Sequence, residues 1–135
     1  LNRKHFSGDF KKLFSGVDRN RLKITANKQW LNTKIKVDIG DRILIKASGK
    51  ITINNEEFDP NGGTANGGLN YPLSNRNINA LFFVIGESEV IKSGKSYFGF
   101  ASDSGEIKFI INTMNEIPDS NGYFTIDSLV TYSDK

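Results

Sequence analysis

Two short polar stretches carry the side chains best suited to chemistry. The first is Asp59-Pro60-Asn61-Gly62; the second holds Asn112, Thr113, Asn115, Asp119, Ser120 and Asn121. Their planar amides and carboxylates match the donors and acceptors of sugar hydroxyls. The same oxygens suit calcium, a hard cation that takes about 6–8 oxygen ligands. Asn, Asp and Gly are also what any β-turn uses, and each stretch taken alone reads more simply as turn chemistry. Tyr71 is the aromatic best placed to support the apolar face of a sugar ring, whereas Trp30 reads as an edge or core residue.

Catalytic constellations are hard to assemble from this chain. The one histidine is His5, far in sequence from both polar stretches, and there is no cysteine. Thiol chemistry is therefore excluded, and a Ser-His-Asp or histidine-metal site would need an imidazole elsewhere. No metalloprotease helix motif, phosphate loop or dinucleotide glycine pattern occurs. A glycosidase could draw a carboxylate pair from Glu56, Glu57 and Asp59, but their clustering reads more simply as a solvated loop. The chain is expected not to be an enzyme.

The elements that must position these residues read as strands. Leu22, Ile24 and Ala26 alternate with polar residues, as do Ile35, Val37 and Ile39, then Ile43 and Ile45, then Ile51 and Ile53. Alternation of this kind marks a sheet with one packed and one wet face. Trp30 to Ile53 reads as three short strands, with turns at Ile39-Gly40-Asp41 and Ser48-Gly49-Lys50. Residues 54–79 are rich in Asn and Gly and read as a long functional or disordered loop, pinned by Phe58, Leu69, Tyr71 and Leu73. Strands resume at Ala80–Ile85, a continuous apolar run expected to be buried and central. They continue at Val90-Ile91, Tyr97–Phe100, Glu106–Ile111 and Tyr123–Tyr132, with residues 112–122 as a polar loop. The fold class expected is all-β: an antiparallel sandwich or jelly roll.

Residues 1–20 form a separate basic arm, helical or linker-like, ahead of a sandwich domain at 21–135. Phe6, Phe10, Leu13, Phe14 and Val17 share one helical face, with Ser7 as N-cap. Residues 1–23 hold seven Lys/Arg against two Asp, a net of +5, while the rest of the chain is net −2. The arm could dock on a parent-protein domain or on nucleic acid; packing on its own sandwich is the simpler reading. The length of 135 residues suits one domain with a real core, and no apolar run is long enough to span a membrane. The start at Leu1, without a visible signal peptide, suggests a mature product or a piece of a longer protein.

Several pieces, in order, resemble the PA-I galactophilic lectin family. They are Trp30 to Gly49, the Asp59–Gly62 turn, Asn79 to Gly86, Ser104 to Asn112, and Asn121 to Ile126. That family consists of calcium-dependent, galactose-binding β-sandwiches, so the resemblance implies a galactose-binding-domain-like sandwich with a site at one end. It implies calcium ligands at the Ile53 carbonyl, Thr113, Asp119 and Ser120, and sugar contacts near Asp59 and Gly62. Thr113 stands where the family has Asp, and Asp119 and Ser120 where it has two Asn. Neither the His nor the Gln that touches sugar in the family is kept at Asp59 or Gly62.

The function expected is a non-catalytic carbohydrate-binding module, an accessory domain of a larger protein. Its ligand set is Asp59, Asn61, Gly62, Tyr71, Thr113, Asp119 and Ser120. The alternative is a protein- or nucleic-acid-interaction domain whose sandwich has lost the sugar site.

Overall fold

The computed structural model describes residues 10–11, 22–27, 29–114 and 120–132. The strands are β1 (Phe10–Lys11), β2 (Leu22–Ile24), β3 (Leu31–Val37), β4 (Arg42–Ile53), β5 (Glu56–Phe58), β6 (Leu81–Ile85), β7 (Ile91–Lys92), β8 (Ser96–Phe100), β9 (Gly105–Ile111) and β10 (Ser120–Tyr132). They form two antiparallel sheets. In the first, β10 runs along the whole of β4, with Ser120 opposite Ile53 and Tyr132 opposite Arg42. Its other side carries β2 and β1, and the far side of β4 carries β8 on its first half and β5 on its last residues. The second sheet has the order β3-β9-β6-β7.

Strand alternation builds the core between the sheets. Ile43, Ile45, Ala47, Ile51 and Ile53 turn inward from β4, and Phe124, Ile126 and Leu129 from β10. They meet Ile35, Val37, Leu81, Phe83, Ile85, Ile107, Phe109 and Ile111 of the second sheet. Phe83 anchors this layer edge-on to Tyr97, with ring centroids 5.0 Å apart. At about 25 cal/mol per Å² of apolar surface, each such side chain contributes roughly 1.5–3 kcal/mol.

The expected turn at Ser48-Gly49-Lys50 is not a turn. β4 continues through it, so Trp30–Ile53 makes two strands and not three. Gly49 has φ +99° and pairs with Phe124; a Cβ there would lie 2.6 Å from the Tyr123 carbonyl oxygen. The glycine absorbs a kink in a 12-residue strand instead of reversing it. The real reversal comes at Asn54-Asn55, both with positive φ. Such a pair suits the two-residue turn that closes the β4–β5 hairpin.

The stretch expected to be a long loop is ordered. After the hairpin, residues 63–79 fold back as a flap, with Asn66 bridged to Asn77 and Gly67 N–H donating to the Arg76 carbonyl. Leu73 packs on a second apolar cluster of Ala80, Phe82 and Ile110, on the outer face of the second sheet. The Arg76 guanidinium lies 4.9 Å from the Phe82 ring and donates to the Val90 carbonyl. This cover explains why the apolar run at Ala80–Ile85 is buried on both faces. Leu69, expected to pin the loop, is instead 94% exposed at its tip.

At Phe10 and Lys11 the arm is extended and pairs with Tyr132 and Thr131. The helical face expected over Phe6–Val17 otherwise lies outside the described residues. Among the described residues no helix is long and apolar enough to cross a membrane.

Candidate functional site

Ile53 closes β4, and its register partner Ser120 opens β10. One end of the sandwich therefore brings these two residues together beside the Asn54-Asn55 turn. Thr113 lies two residues past β9, on the connection that leads to Ser120. It is fully buried, and among the described residues its hydroxyl has no hydrogen-bond partner. Asp119 and Asn115 lie outside the described residues.

Asn112, which the sequence offers as a ligand, is a clamp. Its Nδ2 donates to the carbonyls of Leu73, Arg76 and Asn77, at 2.9, 3.2 and 3.1 Å. Its Oδ1 accepts the Leu73 N–H at 2.9 Å. Its backbone exchanges bonds with Ala80 and Asn79. The side chain is thus spent on holding the flap. Next to it, the buried Oδ1 of Asn79 has no partner among the described residues.

The Asp59–Gly62 turn joins the two sheets. Asp59 Oδ1 accepts the Asn61 N–H at 2.8 Å, and Gly62 N–H donates to the Asp59 carbonyl at 2.8 Å. The Pro60 carbonyl accepts Leu81 N–H, and Asn61 Oδ1 accepts Lys95 N–H at 3.0 Å. Gly62, at φ +73°, lies against Ala80, leaving no room for a Cβ. Asn61 and Gly62 are therefore committed to the fold. The Asp59 carboxylate, 3.7 Å from Lys95 Nζ, also lines an open hollow with Lys50, Glu57 and Phe58. Tyr71 sits elsewhere, in the flap, with its ring packed over Gly67.

Glu57 and Asp59 line one hollow, whereas Glu56 is turned away from them. Glu56 and Glu57 are successive strand residues, so their side chains point to opposite faces. Glu57 is 3.8 Å from Lys50 in an exposed ion pair. Among the described residues the one clearly shifted carboxyl is remote: the Asn32 amide, donating to Glu106 at 2.8 Å, holds that group below its ordinary range, helped by Lys34, Lys36 and Lys108.

Calcium asks for several oxygens, carboxylates among them. Among the described residues no three acidic, histidine or cysteine side chains converge. Ile53, Thr113 and Ser120 offer only neutral oxygens, a donor set that does not by itself fit the ion.

Sequence reasoning passed over Trp30 as a ligand residue. It is 38% exposed and lines a pocket with Lys23, Thr25, Asn27 and Gln29. Its neighbours Asn27 and Gln29 were the available signal.

No protein-family model matches the sequence, and no curated protein matches it. Among solved structures the chain is similar to a domain described as the EclA N-terminal domain, a PllA-like lectin. The two share 22% sequence identity with a TM-score of 0.60, over 84% of this chain and 98% of that one. The likeness shows that this chain has a lectin-like β-sandwich fold.

Proposed function

We propose that this chain is a non-catalytic carbohydrate-binding domain, with its ligand held between the Asp59–Gly62 turn and the Thr113–Ser120 connection. The observation that carries the reading is the fold shared with nearly the whole of a PllA-like lectin domain. The buried Thr113 hydroxyl, without a partner among the described residues, is a polar group that a ligand or a water would satisfy. Asp59 supplies a charged acceptor lining an open hollow, and Ser120 a hydroxyl beside Ile53. Asp119 would add a second carboxylate, and any calcium affinity rests on it. An accessory role within a larger protein fits a domain of this size.

A glycan array followed by calorimetry, with and without calcium, tests the reading. At least one glycan should bind saturably, and Asp59→Ala or Ser120→Ala should weaken it about tenfold. Failure to bind any neutral or acidic glycan would sink the proposal.

One observation favours a second reading. Asn61, Gly62 and Asn112 spend their polar groups inside the fold, and Tyr71 packs within the flap. A sandwich that has given up its sugar site could serve as an interaction domain through the basic arm. Salt-dependent RNA or DNA binding that disappears on removal of residues 1–23 is the expected result under that reading.

A further inference from the structure

The first sheet has an unguarded edge at β8. Its residues, Ser96–Phe100, pair with β4 on one side only. Ala47 N–H donates to the Lys95 carbonyl, and Ala101 N–H to the Asp41 carbonyl. Both pairs continue the β4–β8 register, and bonded pairs recur at every second residue of an antiparallel ladder. Tyr97 and Gly99 therefore spend their backbone groups on β4, while Ser96, Phe98 and Phe100 aim theirs away from it. Among the described residues no hydrogen bond reaches those outward groups.

The side chains are as open as the backbone. Phe98 lies opposite Leu44 and Phe100 opposite Arg42. Both rings stand on the outer face of the sheet, because Ile43 and Ile45, on either side of Leu44, turn inward. Phe98 is 61% exposed and Phe100 57%. The Arg42 guanidinium carbon, 5.5 Å from the centre of the Phe100 ring, steadies that ring without covering it. Edge strands that stay alone are guarded by a lysine, a proline or a bulge. Ser96–Phe100 has none of the three.

We propose that β8 pairs with β8 of a second copy of this chain, antiparallel about a two-fold axis at Phe98, so that the two first sheets become one. Pairing at β8 goes beyond the carbohydrate reading and does not depend on it. The open backbone groups set the register. Centred on Phe98, it puts Phe98 opposite Phe98 and Ser96 opposite Phe100, and every open N–H and C=O of both strands finds a partner. On the outer face the two Phe98 rings meet, and each Phe100 lies across from a serine, so apolar surface leaves water. Charge agrees with this direction. Lys46 and Lys95 flank the start of the strand, with Asp59 beside Lys95. Asp41 and Asp103 flank its end, with Arg42 beside Phe100. The start thus has a surplus of positive charge and the end a surplus of negative. Antiparallel pairing sets each start against the other copy's end, whereas parallel pairing would set like against like. A strand that complements itself in both backbone and charge selects its own copy.

Sedimentation of the intact chain should show a monomer–dimer equilibrium in the micromolar range, as suits an interface of one short strand per copy. Phe98→Lys places like charges together at the axis and should weaken dimerisation at least about tenfold. An unchanged thermal melt would show that the variant is folded. The chain has no cysteine, so introduced thiols read the register. Directly opposed Cα atoms of a bonded pair lie about 5.5 Å apart, within reach of a disulfide. Phe98→Cys alone should oxidise to a covalent dimer. Ser96→Cys alone and Phe100→Cys alone should not cross-link, and a mixture of these two variants should. A chain that sediments as a monomer up to millimolar concentration, a dimer that Phe98→Lys leaves intact, or cross-linking of Phe100→Cys alone in preference to Phe98→Cys would overturn the proposal.

Discussion

Thr113 and Asn112 are neighbours with opposite circumstances. Asn112 satisfies its side chain completely; Thr113, equally buried, leaves its hydroxyl without a partner among the described residues. Replacing Thr113 with Val keeps the shape and removes the buried polar atom. Stability should hold or rise by up to about 1 kcal/mol, as read from a chemical denaturation midpoint. If glycan affinity falls in the same variant, the hydroxyl serves a ligand; unchanged affinity would assign it no such role. Asn112→Ala should behave differently, because it strands one N–H and three carbonyls of the flap. A loss of about 2–4 kcal/mol is expected. Asn112→Asp should be no better, since an added carboxylate oxygen would face carbonyls where an amide now donates. The sequence displayed these two residues as similar polar loop positions. What separates them is a set of bonds to residues more than thirty positions earlier, and spacing along the chain carries no trace of that.

Among the elements, those with period-two alternation were legible. β3, β9 and β10 lie close to where their apolar residues place them, and β6 was recognisable because an unbroken apolar run needs cover on both faces. Gly49 was misleading because a positive φ serves a turn and a kinked strand equally well. Only the partner strand decides, through the Tyr123 carbonyl that crowds the place of a Cβ. Gly49→Ala should therefore cost roughly 2–3 kcal/mol, from strained φ and crowding together. Thermal unfolding checks this, and a drop well under 1 kcal/mol would show that β4 can straighten there. The flap was the least legible element. Its order comes from Asn112 and from the Phe82–Ile110 patch it covers, both outside its own sequence. Hydrogen exchange should find the Gly67 and Ile78 amides, which donate to Arg76 and Ala65, protected in the wild type. In Asn112→Ala the same amides should exchange much faster than those of the β4–β10 core.

At the scale of the whole molecule, the site was less readable than the scaffold. Ile53 and Ser120 come together as register partners. Asn61 and Gly62 turn out to hold the sheets to each other, and Trp30, read as an edge or core residue, lies half-exposed at the start of the edge strand β3. A binding surface is assembled from segments distant in sequence, and a single sequence shows which residues exist but not which of their groups the fold has already used. The scaffold itself rests on β10, which pairs with β4 along its entire length and also supplies the edge for β1 and β2. That strand is made from residues 120–132. During synthesis, β4 leaves the ribosome long before β10 exists, and the edge that β10 will pair stays open meanwhile. The domain cannot close as its segments emerge in turn; it must wait for residue 132 and then zip over a large sequence separation, a slow and aggregation-exposed step. A nascent chain stalled before residue 120 should remain protease-sensitive throughout, and one extended past 132 and clear of the exit tunnel should become resistant in a single step.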